Sequence, residues 1–276
     1  MMRTLLAVSS VLCLFVASSA HAYNGCTPAT AASDKCEGNV AKAFSKMIGS
    51  VIKCHIKQAD AVTKGNVFDE EACEETDTIT SAKAKFDKAI TKLALTCAPA
   101  LIFSANNLEA ALLSGPTSLD AQNGGVYCDS ASAVLLDPSG DDAGWKPNTL
   151  NNLKCADGVA KNLSKLVKDL LTCHRKKADA DFKAKFFDVV ACEGKGTTKY
   201  DGRTTTLIGT GNCPGCLDAT SQGVLRDSVV AQTNVTDPSV FMCTTTSTSS
   251  SVTTTSSTSS TSSTSTSSTS STSSTS

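Results

Sequence analysis

Two short stretches of the chain place a histidine directly after a cysteine: CHIKQADA at 54–61 and CHRKKADA at 173–180. Covalent haem attachment uses the pattern C-x-x-C-H, which needs a second cysteine three positions before the first. Val51 and Leu170 occupy that position. Both stretches are therefore excluded as c-type haem sites.

Zinc or copper is the other chemistry open to these side chains, with Cys54 and Cys73 as thiolates beside His55. Adjacent side chains on a helix point about 100° apart, so a cysteine bonded to a facing helix leaves its histidine directed sideways. We therefore predict no metal ligand and no cofactor. We expect His55 and His174 to be solvated or capping residues near the ends of packed helices.

CPGC at 213–216 has the spacing of a redox dithiol, which requires an exposed cysteine of low pKa at a helix N-terminus. The flanking sequence lacks a thioredoxin-like βαβ pattern, and both sulfurs have structural partners to bond. Nothing in the sequence assembles a serine–histidine–acid site either. We predict no catalytic residues, and thiol oxidoreduction through Cys213 and Cys216 is the third of three functional hypotheses.

Residues 1–22 have the features of a secretory signal, with Arg3, an apolar run and the small-x-small sequence Ala20-His21-Ala22. No later stretch is apolar for long enough to span a membrane. The formal net charge is −1, which gives no electrostatic reason for binding nucleic acid or an anionic membrane. We expect a secreted or cell-surface protein.

Export changes the interpretation of the cysteines. The chain has 13, and loss of Cys13 with the signal leaves an even number, which favours disulfides in an exported chain. The remaining cysteines are Cys26, Cys36, Cys54, Cys73, Cys97, Cys128, Cys155, Cys173, Cys192, Cys213, Cys216 and Cys243.

The chain also contains an internal duplication. Three cysteines of one copy align without a gap with three of the other: Cys36 with Cys155, Cys54 with Cys173, and Cys73 with Cys192. The next cysteine, Cys97, matches Cys216 by fixed spacing and Cys213 by the local similarity of CAPAL to CPGCL. We prefer Cys213.

The duplication predicts two tandem six-cysteine modules at 23–128 and 155–243. A stretch rich in turn-forming residues at 129–154 predicts a solvated linker. The segment 244–276 is Ser and Thr except for Val252, a composition that cannot form a core and predicts a disordered tail.

Each module is expected to be a helical hairpin, which makes the fold all-α. Apolar residues recur at steps of three or four from Cys36 to Cys54, so both cysteines lie on one face of a helix. They are about 27 Å apart along that helix, too far for a disulfide, and each must reach a second helix. That helix follows an N-cap at Asp69 or Asp188, and glycines weaken it in the second copy.

We predict inner disulfides Cys54–Cys73 and Cys173–Cys192 and outer disulfides Cys36–Cys97 and Cys155–Cys213. The remaining bonds are expected to tie the last segment of each module to its own hairpin, as Cys26–Cys128 and Cys216–Cys243. This pairing makes the two modules independent units.

The two octets, the CPGC stretch and the endings VYC at 126–128 and VFMC at 240–243 resemble cysteine-rich helical repeats of proteins exported by bacteria, which often carry Ser/Thr-rich tails. The resemblance covers Cys36 to Cys243 and implies no known activity.

The leading hypothesis is a secreted, non-enzymatic protein of the cell surface or extracellular matrix that binds or spaces an unknown extracellular ligand or surface component. The alternative is a carrier of a small apolar ligand or metal inside a helical bundle.

Overall fold

The computed structural model describes residues 23–138 and 140–242. The predicted signal peptide, Cys243 and the predicted tail lie outside these residues. The fold is all-α, as predicted, and the described residues contain no strand beyond one isolated bridge between Leu135 and Trp145. The α-helices are α1 (Ala31–Thr63), α2 (Ala82–Leu93), α3 (Pro99–Leu113), α4 (Leu119–Val126), α5 (Leu150–Phe182), α6 (Val189–Gly209) and α7 (Ala219–Val240). No helix of the described residues is both long and apolar enough to cross a membrane.

The duplicated helices α1 and α5 have the same length and begin in the same way. The side chain of Thr30 accepts a hydrogen bond from the backbone N–H of Ser33 at 3.1 Å, and Thr149 accepts one from Asn152 at 3.1 Å. These N-caps satisfy backbone donors that a helix start leaves unpaired. Each helix then runs for 33 residues.

The two long helices pack against each other in antiparallel orientation. A Cβ atom at Gly38, near the start of α1, would lie 3.3 Å from Cδ of Arg175, near the end of α5. A Cβ atom at Gly49 would lie 3.2 Å from Oγ of Ser164. Glycine therefore allows the two helices to approach closely at these positions.

The two copies share one hydrophobic core, so the prediction of independent modules is wrong. One cluster of buried apolar residues includes side chains of both copies, and chain contacts join the described residues in a single unit. The physical reason is the width of the apolar face of α1, which buries Phe44 and Met47 but also Ile48 and Ile52. One hairpin partner cannot cover a face of that width, and α5 covers the rest.

The glycine-rich second helix of the second copy is longer than its counterpart, contrary to expectation. Helix α6 has 21 residues, whereas α2 has 12 and follows a separate π-helical turn at Ala72–Thr76. Disulfides tie Cys192, in the first turn of α6, and Cys213, in the segment after α6, to α5. The predicted N-cap is present, since Asp188 accepts a hydrogen bond from the Ala191 N–H at 2.9 Å.

Four disulfides form as predicted: Cys36–Cys97, Cys54–Cys73, Cys155–Cys213 and Cys173–Cys192. Their Cα atoms lie 5.1 to 5.8 Å apart. The antiparallel hairpin therefore pairs the inner cysteines with each other and the outer cysteines with each other, as the helical spacing predicts.

The predicted pairs Cys26–Cys128 and Cys216–Cys243 are wrong, because Cys128 bonds to Cys216 across the two copies. Cys26 is itself disulfide-bonded. Its backbone N–H donates to the carbonyl of Phe241 at 3.1 Å, so the N-terminal segment lies beside the end of α7. Antiparallel packing of α1 and α5 brings each copy's terminal segment to the other copy.

A digest of the unreduced protein is expected to contain Cys128 and Cys216 in one pair of linked peptides, detected by mass spectrometry. The Cys54–Cys73 pair in the same digest serves as the internal control, because both cysteines lie within one copy. A peptide joining Cys216 to Cys243 would contradict the disulfide between the two copies.

The predicted linker is packed against the first copy and is not simply solvated. Leu136 and Asp142 are buried, and the Trp145 N–H donates to the Tyr127 carbonyl at 2.7 Å. The Ala143 N–H donates to the carbonyl of Asp120 at 3.0 Å. These bonds hold the segment between α4 and α5 against α4 and direct one buried carboxylate into the core.

Candidate functional site

The two histidines of the repeated octets are buried, so the prediction of solvated or capping residues is wrong. His55 is 3% exposed and His174 is 0% exposed. Cys54 and Cys173 beside them form the inner disulfides. Each histidine points sideways from its cysteine, as helix geometry requires, but the adjacent helices cover that side.

His174 lies between two carboxylates. Its Nδ1 is 2.7 Å from Oδ1 of Asp237 on α7, and its Nε2 is 2.8 Å from Oε1 of Glu193 on α6. The ring of Tyr23 packs beside it, with ring centroids 5.6 Å apart. Both ring nitrogens are therefore occupied by protein groups.

This arrangement favours the protonated imidazole. Burial alone would lower the pKa of His174, but hydrogen bonds to Asp237 and Glu193 raise it to about 9. Burial raises the pKa of Asp237 above its usual value, while the bond to His174 opposes that shift. The cluster is a closed hydrogen-bonded ion pair with no ring nitrogen left to serve a substrate or an ion.

His55 has a different environment, because four carboxylates from three further segments surround one nitrogen. Distances from its Nε2 are 3.0 Å to Glu74 Oε1, 3.1 Å to Asp142 Oδ1, 3.2 Å to Asp120 Oδ1 and 3.8 Å to Glu70 Oε1. All four carboxylate residues are buried. We call these five residues the His55 cluster.

Local structure explains how each carboxylate reaches the His55 cluster. Asp69 accepts a hydrogen bond from the Ala72 N–H at 2.8 Å, as predicted for an N-cap, and starts the turn that carries Glu70 and Glu74. Ser118 caps α4 and places Asp120 in its first turn. Asp142 comes from the segment before α5.

Burial shifts the acid–base properties of the His55 cluster. Burial, with the neighbouring Glu74 as a second cause, raises the pKa of Glu70 to about 11, and burial raises the pKa of Asp142. Burial would lower the pKa of His55, yet its hydrogen bond to Asp120 and the close carboxylates of Asp142 and Glu74 raise it well above the ordinary value. In the absence of another cation, the cluster therefore retains protons at neutral pH.

Sequence reasoning missed both sets of carboxylates. Glu74 and Glu193 are corresponding residues that follow the aligned cysteines Cys73 and Cys192. The sequence did contain one signal for them: in both copies a Cys-Glu pair is predicted to bond through its cysteine to a Cys-His pair, which brings a glutamate close to the histidine. Asp142 has no such signal, because it lies outside the duplicated segment.

The structure does not assemble the two thiol sites considered from the sequence. Cys54 and Cys73 bond to each other, which leaves no thiolates for zinc beside His55. Cys213 and Cys216 bond to Cys155 and Cys128 respectively. CPGC therefore does not form its own internal disulfide.

A cavity of about 370 Å³ lies between α1, α3, α4, α5 and α7. Its apolar lining includes Phe44, Ile48, Ile52, Leu108, Leu112, Leu119, Val126, Leu163, Val167, Leu171, Leu225 and Val229. Exposed residues such as Thr117 and Val235 also border it. The cavity therefore reaches from the shared core to the protein surface.

A few polar side chains accompany this apolar lining. Gln122 donates to Gln232 at 3.2 Å, which connects α4 to α7. Asn123 is 4% exposed, and its side-chain nitrogen has no hydrogen-bond partner. His55 also contributes to the wall, so the cavity and the His55 cluster are neighbours.

Comparisons of the chain with protein-family models, with curated proteins and with solved structures find no match.

Proposed function

We propose that this chain is an exported, non-enzymatic binding protein that carries a small apolar molecule in the cavity between its two copies. The observation that carries the proposal is the cavity itself, whose size falls in the range of about 300–1,000 Å³ typical of ligand pockets. A protein that only holds other components apart has no need of such a cavity.

The lining indicates the class of ligand. Large empty spaces are rare in protein cores, because unfilled volume forfeits dispersion contacts and destabilises the fold. Apolar cavities exclude water and accept apolar molecules instead. Here the walls are mostly Leu, Ile, Val and Phe side chains, which favours a hydrocarbon-rich ligand.

The polar groups indicate one further feature of that ligand. A buried amide nitrogen without a partner costs about 1–3 kcal/mol; Asn123 lines the cavity, and its side-chain nitrogen is such a donor. A ligand with one acceptor oxygen, such as a carbonyl or hydroxyl group, would satisfy it. We therefore expect a preference for such molecules over pure hydrocarbons.

Export is part of the same proposal. It is supported by the signal-like N-terminus and by five disulfides among the described cysteines, since disulfides persist in oxidising compartments and are rare in reducing ones. Covalent bonds between and within the copies also suit a carrier, because they keep the walls of a partly empty cavity together.

Filling the cavity tests the proposal. We expect the disulfide-intact protein to bind the neutral apolar dye N-phenyl-1-naphthylamine with a rise in fluorescence, and Val229→Trp to weaken that binding at least tenfold. Val229 lines the cavity, and an indole ring there would occupy part of the space available to the dye.

Val224→Trp is the matched control, because Val224 lies on the same helix, is 48% exposed and does not line the cavity. It should bind the dye like the parent chain. Absence of dye binding in the parent chain, or equal binding by both variants, would remove the support for a carrier.

A further inference from the structure

The His55 cluster contains more acceptors than its histidine can serve. A ring N–H donates one well-directed hydrogen bond, and that of His55 is directed at Asp120. Oε1 of Glu74 and both carboxylate oxygens of Asp142 are buried and have no hydrogen-bond partner, although Glu74 Oε1 and Asp142 Oδ1 lie 3.0 and 3.1 Å from the same nitrogen. The same holds for Oε1 of Glu70.

Burial makes this arrangement costly unless a cation compensates for it. An ionised carboxylate removed from water without adequate pairing is penalised by several kcal/mol. Within the described part of the chain, His55 is the only cationic side chain within 4.0 Å of Glu70, Glu74, Asp120 or Asp142. One positive charge therefore faces four acidic groups.

The spacing of these atoms matches a ligand shell. Ligands bound at about 2.0–2.2 Å from a divalent transition-metal ion lie roughly 3 Å from one another when they are adjacent. Nε2 of His55 is 3.0 to 3.2 Å from Glu74 Oε1, Asp142 Oδ1 and Asp120 Oδ1. Two ligand sets can be formed, each with atoms within 4.8 Å of one another: His55 with Asp120 and Asp142, and His55 with Glu70 and Glu74.

The second copy provides an internal comparison. His174 faces only two carboxylates, and each accepts a hydrogen bond from a different ring nitrogen. The residue corresponding to Glu70 is Val189, and the second copy has no counterpart of Asp142. The added acidic groups are therefore specific to the first copy.

We propose that His55, Asp120 and Asp142, whose ligand atoms lie within 4.8 Å of one another, bind one divalent transition-metal ion such as Mn²⁺ or Zn²⁺, with Glu74 and Glu70 beside His55 as outer-shell carboxylates. A set of one imidazole and several carboxylates suits these ions, whereas Ca²⁺ and Mg²⁺ prefer oxygen ligands alone. The ion joins α1, α4 and the segment before α5. His55 also borders the cavity, but the metal proposal does not depend on the cavity ligand.

Metal titration of the chelator-treated, disulfide-intact chain tests the proposal, with calorimetry and native mass spectrometry as readouts. We expect one equivalent of Mn²⁺ or Zn²⁺ to bind more tightly than Ca²⁺ or Mg²⁺ and to raise the melting temperature. Loss of an outer-shell partner typically weakens metal affinity about 10- to 100-fold. Loss of the ligand oxygen in Asp142→Asn, or of the outer-shell carboxylate in Glu74→Gln, should therefore weaken binding at least tenfold.

Glu193→Gln is the matched control, because Glu193 occupies the position of Glu74 in the other copy and should leave metal affinity unchanged. Asp142→Asn lies in an irregular segment away from the cysteines and serves as the second variant if Glu74→Gln misfolds. The proposal is overturned if the parent chain binds no single equivalent, if both site variants bind like the parent, or if Ca²⁺ or Mg²⁺ binds more tightly than both transition metals.

Discussion

Replacement of Leu166 by alanine is expected to destabilise the whole described unit, residues 23–242, by about 2–5 kcal/mol. Leu166 is 0% exposed and lies at the middle of α5, where a Cβ atom at Gly196 of α6 would be 3.7 Å from its Cδ1. Removing its branched end leaves a cavity in the packed centre that rigid, disulfide-linked helices cannot easily close. Chemical denaturation of the oxidised protein measures the loss.

The number of unfolding transitions is as informative as the size of this effect. Because the two copies share one core, calorimetry should show a single transition that shifts to lower temperature in Leu166→Ala. Leu150→Ala, at a position of α5 that is 60% exposed, should change stability little. Two transitions, of which only one shifts, would mean that the copies fold as separate modules after all.

Replacement of Asp237 by asparagine is expected to cost about 3–5 kcal/mol near pH 6, because it removes one partner of a buried ion pair. Asp237 is 0% exposed, accepts from His174 at 2.7 Å and also accepts from the backbone N–H of Asn24 at 3.3 Å. Asparagine has nearly the same shape, so the loss reports charge and hydrogen bonding more than packing.

The pH dependence of the unfolding free energy shows how much of the effect of Asp237 comes from its ion pair with His174. The pKa of His174 is about 9 in the folded protein and about 6.5 for an unfolded histidine. Its contribution is therefore complete below pH 6.5 and is lost as the pH rises through 9. At about 1.36 kcal/mol per pKa unit, the loss approaches 3 kcal/mol.

Unfolding free energies measured from pH 6 to pH 9.5 should therefore fall more steeply for the parent chain than for Asp237→Asn, while the raised pKa of His55 contributes equally to both profiles. Asp201→Asn is the control, because the side chain of Asp201 is 48% exposed and its ion pair with Arg226 is superficial. Such pairs contribute about 0–1 kcal/mol. Parallel pH profiles for the parent chain and Asp237→Asn would show that His174 does not gain a proton through this pair.

The sequence by itself determined the two long duplicated helices, two N-caps and four disulfides. Steps of three or four between apolar residues specify a helix face locally, and the distance between Cys36 and Cys54 along one helix forces each to bond elsewhere. Asp69 and Asp188 act as N-caps for the same local reason. These properties depend on neighbours in the chain, so a single sequence contains them.

Only the tertiary structure decided how the two copies meet and what surrounds their histidines. Local periodicity shows that α1 is amphipathic but does not show that its apolar face is wide enough for α5 as well as α2. Once α1 and α5 pack antiparallel, Cys128 meets Cys216 rather than a cysteine of its own copy.

The same packing places Asp120 and Asp142 beside His55, from positions far along the chain. No helical period relates these residues to His55, because Asp120 lies in the first turn of α4 and Asp142 lies in the irregular segment before α5. Burial of a charged cluster is a property of the assembled core. It follows from which elements cover each other, and no segment read alone contains that information.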